Sequence, residues 1–167
     1  MKWVFRGLAA LIALVLLVVL VGYLLPRDHV ATVEARLDAS PEEVWAAVTD
    51  VDGYPAWRRG VDRVERLAAR DGLPAWREVG SSTMRLGVEE RDPGRVWVVR
   101  ILDEDLPFGG TWTYRLEPDG GGTRITLTEE GSVHNPIFRF VSRFLMGHDA
   151  TMRDWIEDLR RHLGEPA

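Results

Sequence analysis

Two polar residues, Glu129 and His148, fall on the otherwise apolar faces of the elements predicted to carry them. Measured from Asn135, Glu129 lies about 20 Å back along an extended strand and His148 about 18 Å forward along a helix. If the helix folds back along the strand, the carboxylate and the imidazole meet in the interior. Such a pair can transfer protons or bind the head group of a ligand, with Tyr114 as a further hydrogen-bond donor. The alternative is a satisfied structural pair, or a crossing angle that keeps the two side chains apart.

The helix that carries His148 is predicted to run from about Pro136 to Leu163, after a strand from Thr123 to Val133. Apolar residues recur in it at helical spacing, so they form one stripe that a sheet must cover. The stripe comprises Ile137, Val141, Phe144, Met152, Trp155 and Leu159. By contrast, Arg139 and Arg143 are predicted to lie together on the solvent face.

Upstream, a first strand at residues 30–37 is followed by the sequence Ser40-Pro41-Glu42-Glu43. An N-cap serine, a proline at the first helical position and a glutamate at the third form a capping box, which predicts a short helix. A second short turn follows at residues 54–57, and Trp45 and Trp57 are expected to wedge both turns against the sheet. From Val61 onward, six alternating segments are separated by turn sequences, which indicates strands at hairpin spacing. The order predicts an α+β fold in which an antiparallel sheet of about seven strands curls around the C-terminal helix.

The first segment of the chain is different, because residues 8–25 form a run of 18 residues without a charge. At 1.5 Å per residue this run nearly crosses a hydrocarbon core of roughly 30 Å, so we predict a transmembrane anchor at residues 1–26 and a domain at residues 27–167. A cleaved signal peptide is the competing interpretation, but its apolar region would be roughly 7–15 residues long and a small-x-small site should follow. Lys2 and Arg6 predict a cytoplasmic N-terminus, which places the domain outside the cell membrane.

Composition excludes several classes of site. The chain has no cysteine, which rules out disulfides, thiolate metal ligands and a cysteine nucleophile. The net charge of −5 becomes more negative once Lys2 and Arg6 are set aside, so a nucleic-acid partner is not expected. The histidines have no metal-ligand spacing, no serine lies in a Gly-x-Ser-x-Gly motif, and Gly120-Gly121-Gly122 reads as a turn. We therefore predict no metal and no cofactor, and the sequence leaves the oligomeric state open.

Several motifs carry a family resemblance over roughly residues 30–163. They are Ser40-Pro41-Glu42-Glu43-Val44-Trp45, Tyr54-Pro55-Ala56-Trp57-Arg58, Gly110-Thr111-Trp112-Thr113-Tyr114, Gly122-Thr123-Arg124-Ile125-Thr126-Leu127, and Asn135-Pro136-Ile137-Phe138-Arg139-Phe140 followed by Gly147-His148. This pattern resembles the START-like (SRPBCC) superfamily, which includes polyketide cyclases and dehydrases, the birch pollen allergen class and lipid-transfer domains. The resemblance implies the helix-grip fold, in which a long C-terminal helix lies across a curled sheet. The superfamily has many functions, so the resemblance does not select one.

A helix laid across a curled sheet often leaves an apolar cavity, the usual small-molecule site of such a fold. Alternation predicts the following ligand-binding side chains: Met84, Leu86, Val88, Trp97, Val99, Ile101, Trp112, Tyr114, Leu127, Glu129, Phe144, His148, Met152 and Trp155. The apolar loop at residues 106–110 is either a lid or ordinary hairpin packing.

Three functions remain open from the sequence. The leading prediction is a membrane-tethered domain that binds a hydrophobic or lipid-like small molecule. The second is a cyclase or dehydratase that uses Glu129, His148 and Tyr114 as catalytic residues. The third is a structural or interaction domain whose core is filled by its own side chains.

Overall fold

The computed structural model describes residues 2–147 and 149–166, with the side chains of Leu145 and Met146 left aside. His148 therefore lies outside the described residues. Seven strands form one antiparallel sheet in the order β1-β7-β6-β5-β4-β3-β2. Their bounds are β1 Asp28–Leu37, β2 Val61–Arg70, β3 Leu73–Gly80, β4 Met84–Asp92, β5 Val96–Ile101, β6 Phe108–Asp119 and β7 Gly122–Val133.

From β2 to β7, strands that are consecutive in the chain are also neighbours in the sheet, so hairpin connections account for most of it. Only β1 crosses over, and it pairs along its whole length with β7, from Asp28 opposite Ser132 to Leu37 opposite Thr123. Alternation sends one set of side chains inward from every strand, and these residues build a single hydrophobic core. The predicted α+β helix-grip fold is confirmed.

Two short helices connect β1 to β2, namely α2 (Pro41–Thr49) and a 3₁₀ helix (Val51–Ala56). The predicted capping box is present: Ser40 Oγ accepts a hydrogen bond from the Glu43 backbone, and the Glu43 carboxylate accepts one from the Ser40 backbone. Trp57 is buried, and Trp45 meets the strand residue Trp97 edge-on with ring centres 6.1 Å apart. The prediction that the tryptophans wedge these turns against the sheet is confirmed for Trp45, whereas Trp57 packs its ring against Trp155 and His162 of the C-terminal helix.

The C-terminal helical region is interrupted. It consists of α3 (Pro136–Val141), a π-helical turn (Ser142–Met146) and α4 (Ala150–His162). Gly147 ends the π-helical turn with a φ of 78°, a left-handed conformation that glycine adopts without steric cost. This interruption shifts the helical phase, so the predicted stripe does not continue through it. Met152, Trp155 and Leu159 of α4 are buried.

The interruption also corrects one prediction about the site. Phe144, which was expected to face inward, is 57% exposed and contacts Phe140 instead. Ile137, another member of the predicted stripe, is 45% exposed. The π-helical turn rotates this part of the chain away from the core, which periodicity alone does not reveal.

The N-terminal segment forms α1 (Lys2–Leu24), a helix about 34 Å long that is long and apolar enough to span a membrane. Its C-terminal end packs on α3, where Gly22 is buried against the backbone of Pro136 with no room for a Cβ. Arg139 lies in this contact and is buried, so the prediction that it is solvated is wrong. The error arises because α1 covers the face of α3 that the helix pattern leaves to solvent. Arg143 is exposed, as predicted.

Helix α4 is attached to the start of β2 through the buried carboxylate of Asp158. This carboxylate accepts hydrogen bonds from the Arg59 backbone at 2.8 Å, from Arg59 Nε at 2.6 Å and from Arg161 Nη2 at 2.6 Å. Burial by itself raises the pKa of Asp158, but these hydrogen bonds and the Arg59 charge outweigh it and hold the pKa below its ordinary value. Asp158 therefore stabilises the folded chain in its charged form.

The substitution Asp158→Asn keeps the side-chain shape and removes this charge. We expect it to lower the free energy of unfolding of the full chain at neutral pH by about 1–3 kcal/mol. Because the folded-state pKa is depressed, the stabilisation is present above the unfolded-state value of about 3.9 and is lost as the pH falls through the folded-state value. Urea denaturation at stepped pH measures this difference, which should shrink in acid.

The matched control is Asp154→Asn, which changes an exposed carboxylate that also faces Arg59, at 3.6 Å. Its effect should be within about 0.5 kcal/mol of zero. Equal unfolding free energies for wild type and Asp158→Asn at neutral pH would contradict the assigned role.

Candidate ligand-binding site

Five aromatic rings form a continuous series, here called the aromatic row, that crosses the interior from the 3₁₀ helix to β6. Neighbouring ring centres are separated by 5.4 Å, 5.7 Å, 4.9 Å and 6.3 Å in the order Tyr54, Trp57, Trp155, Tyr114 and Trp112. Three elements contribute: the 3₁₀ helix with the residue after it, α4 and β6. The aromatic row therefore lies where the helix crosses the sheet, the position at which a small-molecule site is expected.

A charged cluster adjoins the Tyr54 end of the aromatic row. Arg58 Nη1 donates to Glu78 Oε1 at 2.8 Å, and the indole N–H of Trp76 donates to the same oxygen at 3.1 Å. The Arg58 guanidinium carbon lies 4.7 Å from the centre of the Tyr54 ring, within cation–π range. The side chains of Arg58 and Glu78 are 19% and 7% exposed, so this is an ion pair largely removed from water.

The sequence prediction missed this cluster. Glu78 lies two residues after Trp76, so in a strand the two side chains share one face. This spacing is the sequence signal that Glu78 points inward. Arg58 stands next to Trp57 in a loop, where no periodicity predicts its direction. Only the approach of the 3₁₀ helix to β3, residues far apart in sequence, brings the two charges together.

Tyr54, Tyr114 and Arg58 are protonated at physiological pH. Burial raises the pKa of both Tyr54 and Tyr114 well above the ordinary tyrosine value. Burial opposes the charge on Arg58, but the adjacent Glu78 carboxylate outweighs it and raises the pKa of the guanidinium. The two phenols and the guanidinium are therefore hydrogen-bond donors, not bases, at any pH where the fold persists.

Glu129 lies near the other end of the aromatic row, directly opposite Trp112 in the β6–β7 register. Its carboxylate is 3.6 Å from His29 Nε2 of β1. Gly131 makes this approach possible, because a Cβ there would collide with the imidazole and crowd the carboxylate. Burial lowers the pKa of His29, with a smaller opposing effect from Asp28, so the ring is neutral at pH 7.

The sequence analysis did not identify His29 as a partner of Glu129. A cross-strand diagonal between β1 and β7 creates the contact, and neither residue signals it alone. The predicted partner His148 lies outside the described residues, so a Glu129–His148 pair stays a prediction.

Most of the predicted ligand-binding residues point into the core between the sheet and α4. Buried members of the hydrophobic core are Leu86, Val88, Trp97, Val99, Tyr114, Leu127, Met152 and Trp155. Met84, Ile101 and Trp112 are half-buried and pack against that core, Glu129 is half-buried, and Phe144 is exposed. Their inward direction follows the alternation, whereas a role in ligand contact stays a prediction.

Two indole N–H groups in this interior have no hydrogen-bond partner among the described residues. They belong to Trp97 of β5 and Trp155 of α4, and both side chains are almost completely buried. An unpaired buried donor costs about 1–3 kcal/mol, so proteins usually satisfy such groups.

Two open clefts lie at the margins of the helix. One of about 250 Å³ is lined by Arg58, Arg59, Thr151, Asp154, Trp155 and Asp158, so it adjoins both the aromatic row and the charged cluster. A larger one of about 400 Å³ lies between the start of α2 and residues 163–166, away from these groups. The smaller cleft is the better candidate for access to the interior, because it contains Trp155. Within residues 2–147 and 149–166, no three His, Asp or Glu side chains converge as metal ligands.

Comparisons with known proteins identify the class. Residues 28–164 match the family described as polyketide cyclase / dehydrase and lipid transport, and the chain belongs to that family. No functionally curated protein matches the chain in sequence.

Solved structures agree on the fold. A START superfamily protein from Mycobacterium smegmatis is 16% identical with a TM-score of 0.67, covering 81% of this chain and 97% of that one. The Zhui aromatase/cyclase from a Streptomyces species is 20% identical with a TM-score of 0.64, covering 82% and 92%. Norcoclaurine synthase from Thalictrum flavum is 14% identical with a TM-score of 0.64, covering 83% and 88%. At these low identities the TM-scores show a shared fold and nothing more.

The buried ion pair gives a direct test of the charged cluster. Glu78→Gln leaves the Arg58 charge without its counterion in a largely buried site, so we expect the free energy of unfolding to fall by about 2–4 kcal/mol. Urea denaturation of the full chain in a mild detergent, followed by tryptophan fluorescence, measures the change.

The matched control is Glu65→Gln in β2, which alters a more exposed carboxylate that contacts Arg63 at 2.9 Å and Arg77 of β3 at 3.1 Å. That change should cost about 0–1 kcal/mol. Equal losses for the two variants would show that the Arg58–Glu78 pair is not desolvated.

Proposed function

We propose that this chain is a membrane-tethered binding domain for a hydrophobic or amphipathic small molecule that carries an oxygen acceptor. The observation that carries the proposal is the interior itself, where the aromatic row is flanked by buried hydrogen-bond donors. Aromatic side chains supply apolar contact area, and a few placed donors orient a ligand. Membership of a family of cyclases, dehydrases and lipid-transport domains supports the same class of ligand.

The polar groups suggest how such a ligand would be oriented. Trp155 belongs to the aromatic row and also lines the smaller cleft, and its buried N–H has no partner among the described residues, so we assign this donor to a carbonyl oxygen of the ligand. Arg58 lines the same cleft and adds positive charge, already balanced by Glu78. Both arginines that line this cleft, Arg58 and Arg59, are already paired with carboxylates. A ligand with a neutral oxygen acceptor therefore suits the cleft better than a negatively charged ligand.

The tether is supported by the contact between α1 and the folded domain. Arg139 Nη1 donates to the carbonyl oxygens of Tyr23 and Leu25, at 3.4 Å and 3.1 Å, and Nη2 donates to that of His134 at 3.1 Å. Cleavage near residue 25 would remove two of these acceptors and leave a buried guanidinium poorly satisfied. A signal peptide is removed and loses any contact with the mature domain, whereas a retained anchor keeps this contact. Residues 1–26 are accordingly the anchor and residues 27–167 the binding domain, with Lys2 and Arg6 on the cytoplasmic side.

An enzyme of the cyclase or dehydratase type is the second candidate. The observation in its favour is the half-buried Glu129 carboxylate, 3.6 Å from a neutral His29 and near the Trp112 end of the aromatic row. A carboxylate beside a neutral imidazole can accept and return a proton. The third candidate, a filled structural core, is favoured by the continuous packing of the inward side chains.

Native mass spectrometry of the full chain, released from detergent after exposure to a bacterial lipid extract, tests the proposal. We expect the wild type to retain one apolar mass or a small set of them. Trp155→Phe keeps one aromatic ring but removes the five-membered ring that carries the N–H donor, so the bound fraction should fall roughly three- to tenfold. Trp45→Phe, a half-buried tryptophan outside the aromatic row, is the control and should bind like the wild type.

Each candidate function predicts a different spectrum. A bare protein mass under all lipid conditions would refute the binding proposal and leave the filled core. A bound mass that changes with time in the wild type, but not in Glu129→Gln, would favour the enzyme.

A further inference from the structure

The segment formed by residues 136–144, here called the interfacial segment, exposes large apolar side chains although it adjoins a packed domain. Ile137 is 45%, Phe138 51% and Phe144 57% exposed. The half-buried Phe140 contacts Phe144 with ring centres 4.9 Å apart, so the two rings form one aromatic surface. Apolar patches of this kind on a monomer mark a contact surface.

The position of the interfacial segment identifies what it contacts. It packs directly on the C-terminal end of α1 through Gly22 and Pro136, and Arg139 ties it to the carbonyls of Tyr23 and Leu25. A helix that leaves a bilayer ends at the level of the lipid head groups. A segment fixed beside that end is therefore held at the same depth.

Side chains near the interfacial segment are of the types expected at the depth of the lipid head groups. Tyr23 and Val30, on either side of the junction between α1 and β1, are both highly exposed. Tyrosine is enriched at membrane–water interfaces, because its ring is apolar and its hydroxyl is polar. Arg27 and Arg143 are exposed cations at the same end, where they would meet lipid phosphates.

We propose that the interfacial segment lies in the head-group region of the bilayer, with Ile137, Phe138 and Phe144 immersed among the lipids. The occupant of this apolar surface is the membrane itself, since the surface is continuous with the lipid-facing side chains of α1. The proposal rests on the retained anchor of the proposed function. It adds a second membrane contact, which fixes the orientation of the domain instead of leaving it on a flexible tether.

The orientation has a functional consequence. Helix α4 begins just after the interfacial segment at Ala150, and the chain beyond its end reaches Asp38, the residue after β1, where Glu165 accepts a hydrogen bond from the Asp38 backbone. The strand register places the β2–β3 and β6–β7 turns at the same end of the sheet as Asp38, opposite to the end that adjoins the interfacial segment. The start of α4, with Thr151 on the rim of the smaller cleft, therefore lies on the bilayer side. A lipid-dissolved ligand would then reach the cleft without crossing bulk water.

The absence of cysteine from the sequence allows a clean test. Single-cysteine variants Phe138→Cys and Phe144→Cys, each labelled with the fluorophore NBD, are incorporated as full chains into phosphatidylcholine nanodiscs. Spin-labelled lipids with the nitroxide just below the head group quench fluorophores at that depth. The matched control is Ala69→Cys, an exposed position beside the β2–β3 turn at the opposite end of the sheet.

We expect labels at positions 138 and 144 to be quenched by the spin-labelled lipids roughly twofold or more relative to position 69, and to be shielded from aqueous iodide. Equal lipid quenching at all three positions, in chains that remain in the nanodiscs, would overturn the interfacial placement while leaving the anchor intact. Chains that fail to stay in the nanodiscs would overturn the anchor, and this inference with it. The quenching of a fourth label at Trp3→Cys, within α1, distinguishes these outcomes independently of the domain.

Discussion

The contact between Arg139 and the end of α1 is the interaction that fixes how α1 is placed on the folded domain. The last carbonyl groups of any helix lack intrahelical partners and must find donors elsewhere. Here a buried guanidinium, carried by a helix more than one hundred residues away in sequence, supplies them. Hydrogen bonds to a charged group are worth about 1.5–3 kcal/mol each, so the contact couples the apolar helix to the folded domain with appreciable energy. Gly22 is required because only a residue without a side chain allows α1 to approach Pro136 this closely.

The interior is organised around a different constraint, the need to satisfy polar groups inside a largely aromatic core. Glu78 is neutralised by Arg58 and receives the Trp76 donor, so that end of the interior is internally complete. Trp97 and Trp155 are not satisfied within the described part of the chain. Arg139 Nε likewise has no partner among the described residues, although the rest of that guanidinium is hydrogen-bonded. Trp155 lines the smaller cleft together with Arg58 of the charged cluster.

Much of this could be predicted from residues close together in sequence. Strand alternation gave the inward set from Leu86 to Leu127, and the capping box placed the start of α2, because both signals depend on local spacing. The features that escaped prediction depend on tertiary contacts. Arg139 reads as a solvent residue until α1 covers it, and the phase shift at the π-helical turn moves Phe144 out of the core. The Arg58–Glu78 and His29–Glu129 contacts each join segments that periodicity treats separately.

The central claim is that α1 remains part of the mature protein, held by Arg139 at the edge of the grip. The most direct measurement is the intact mass of the chain isolated from the membrane fraction of cells that produce it, with the N-terminal peptide sequenced. We predict a mass that includes residues 2–25, with the apolar peptide present. A mature chain that begins after Leu25 and is recovered in the soluble fraction would contradict the claim, since the acceptors that satisfy Arg139 would then be absent.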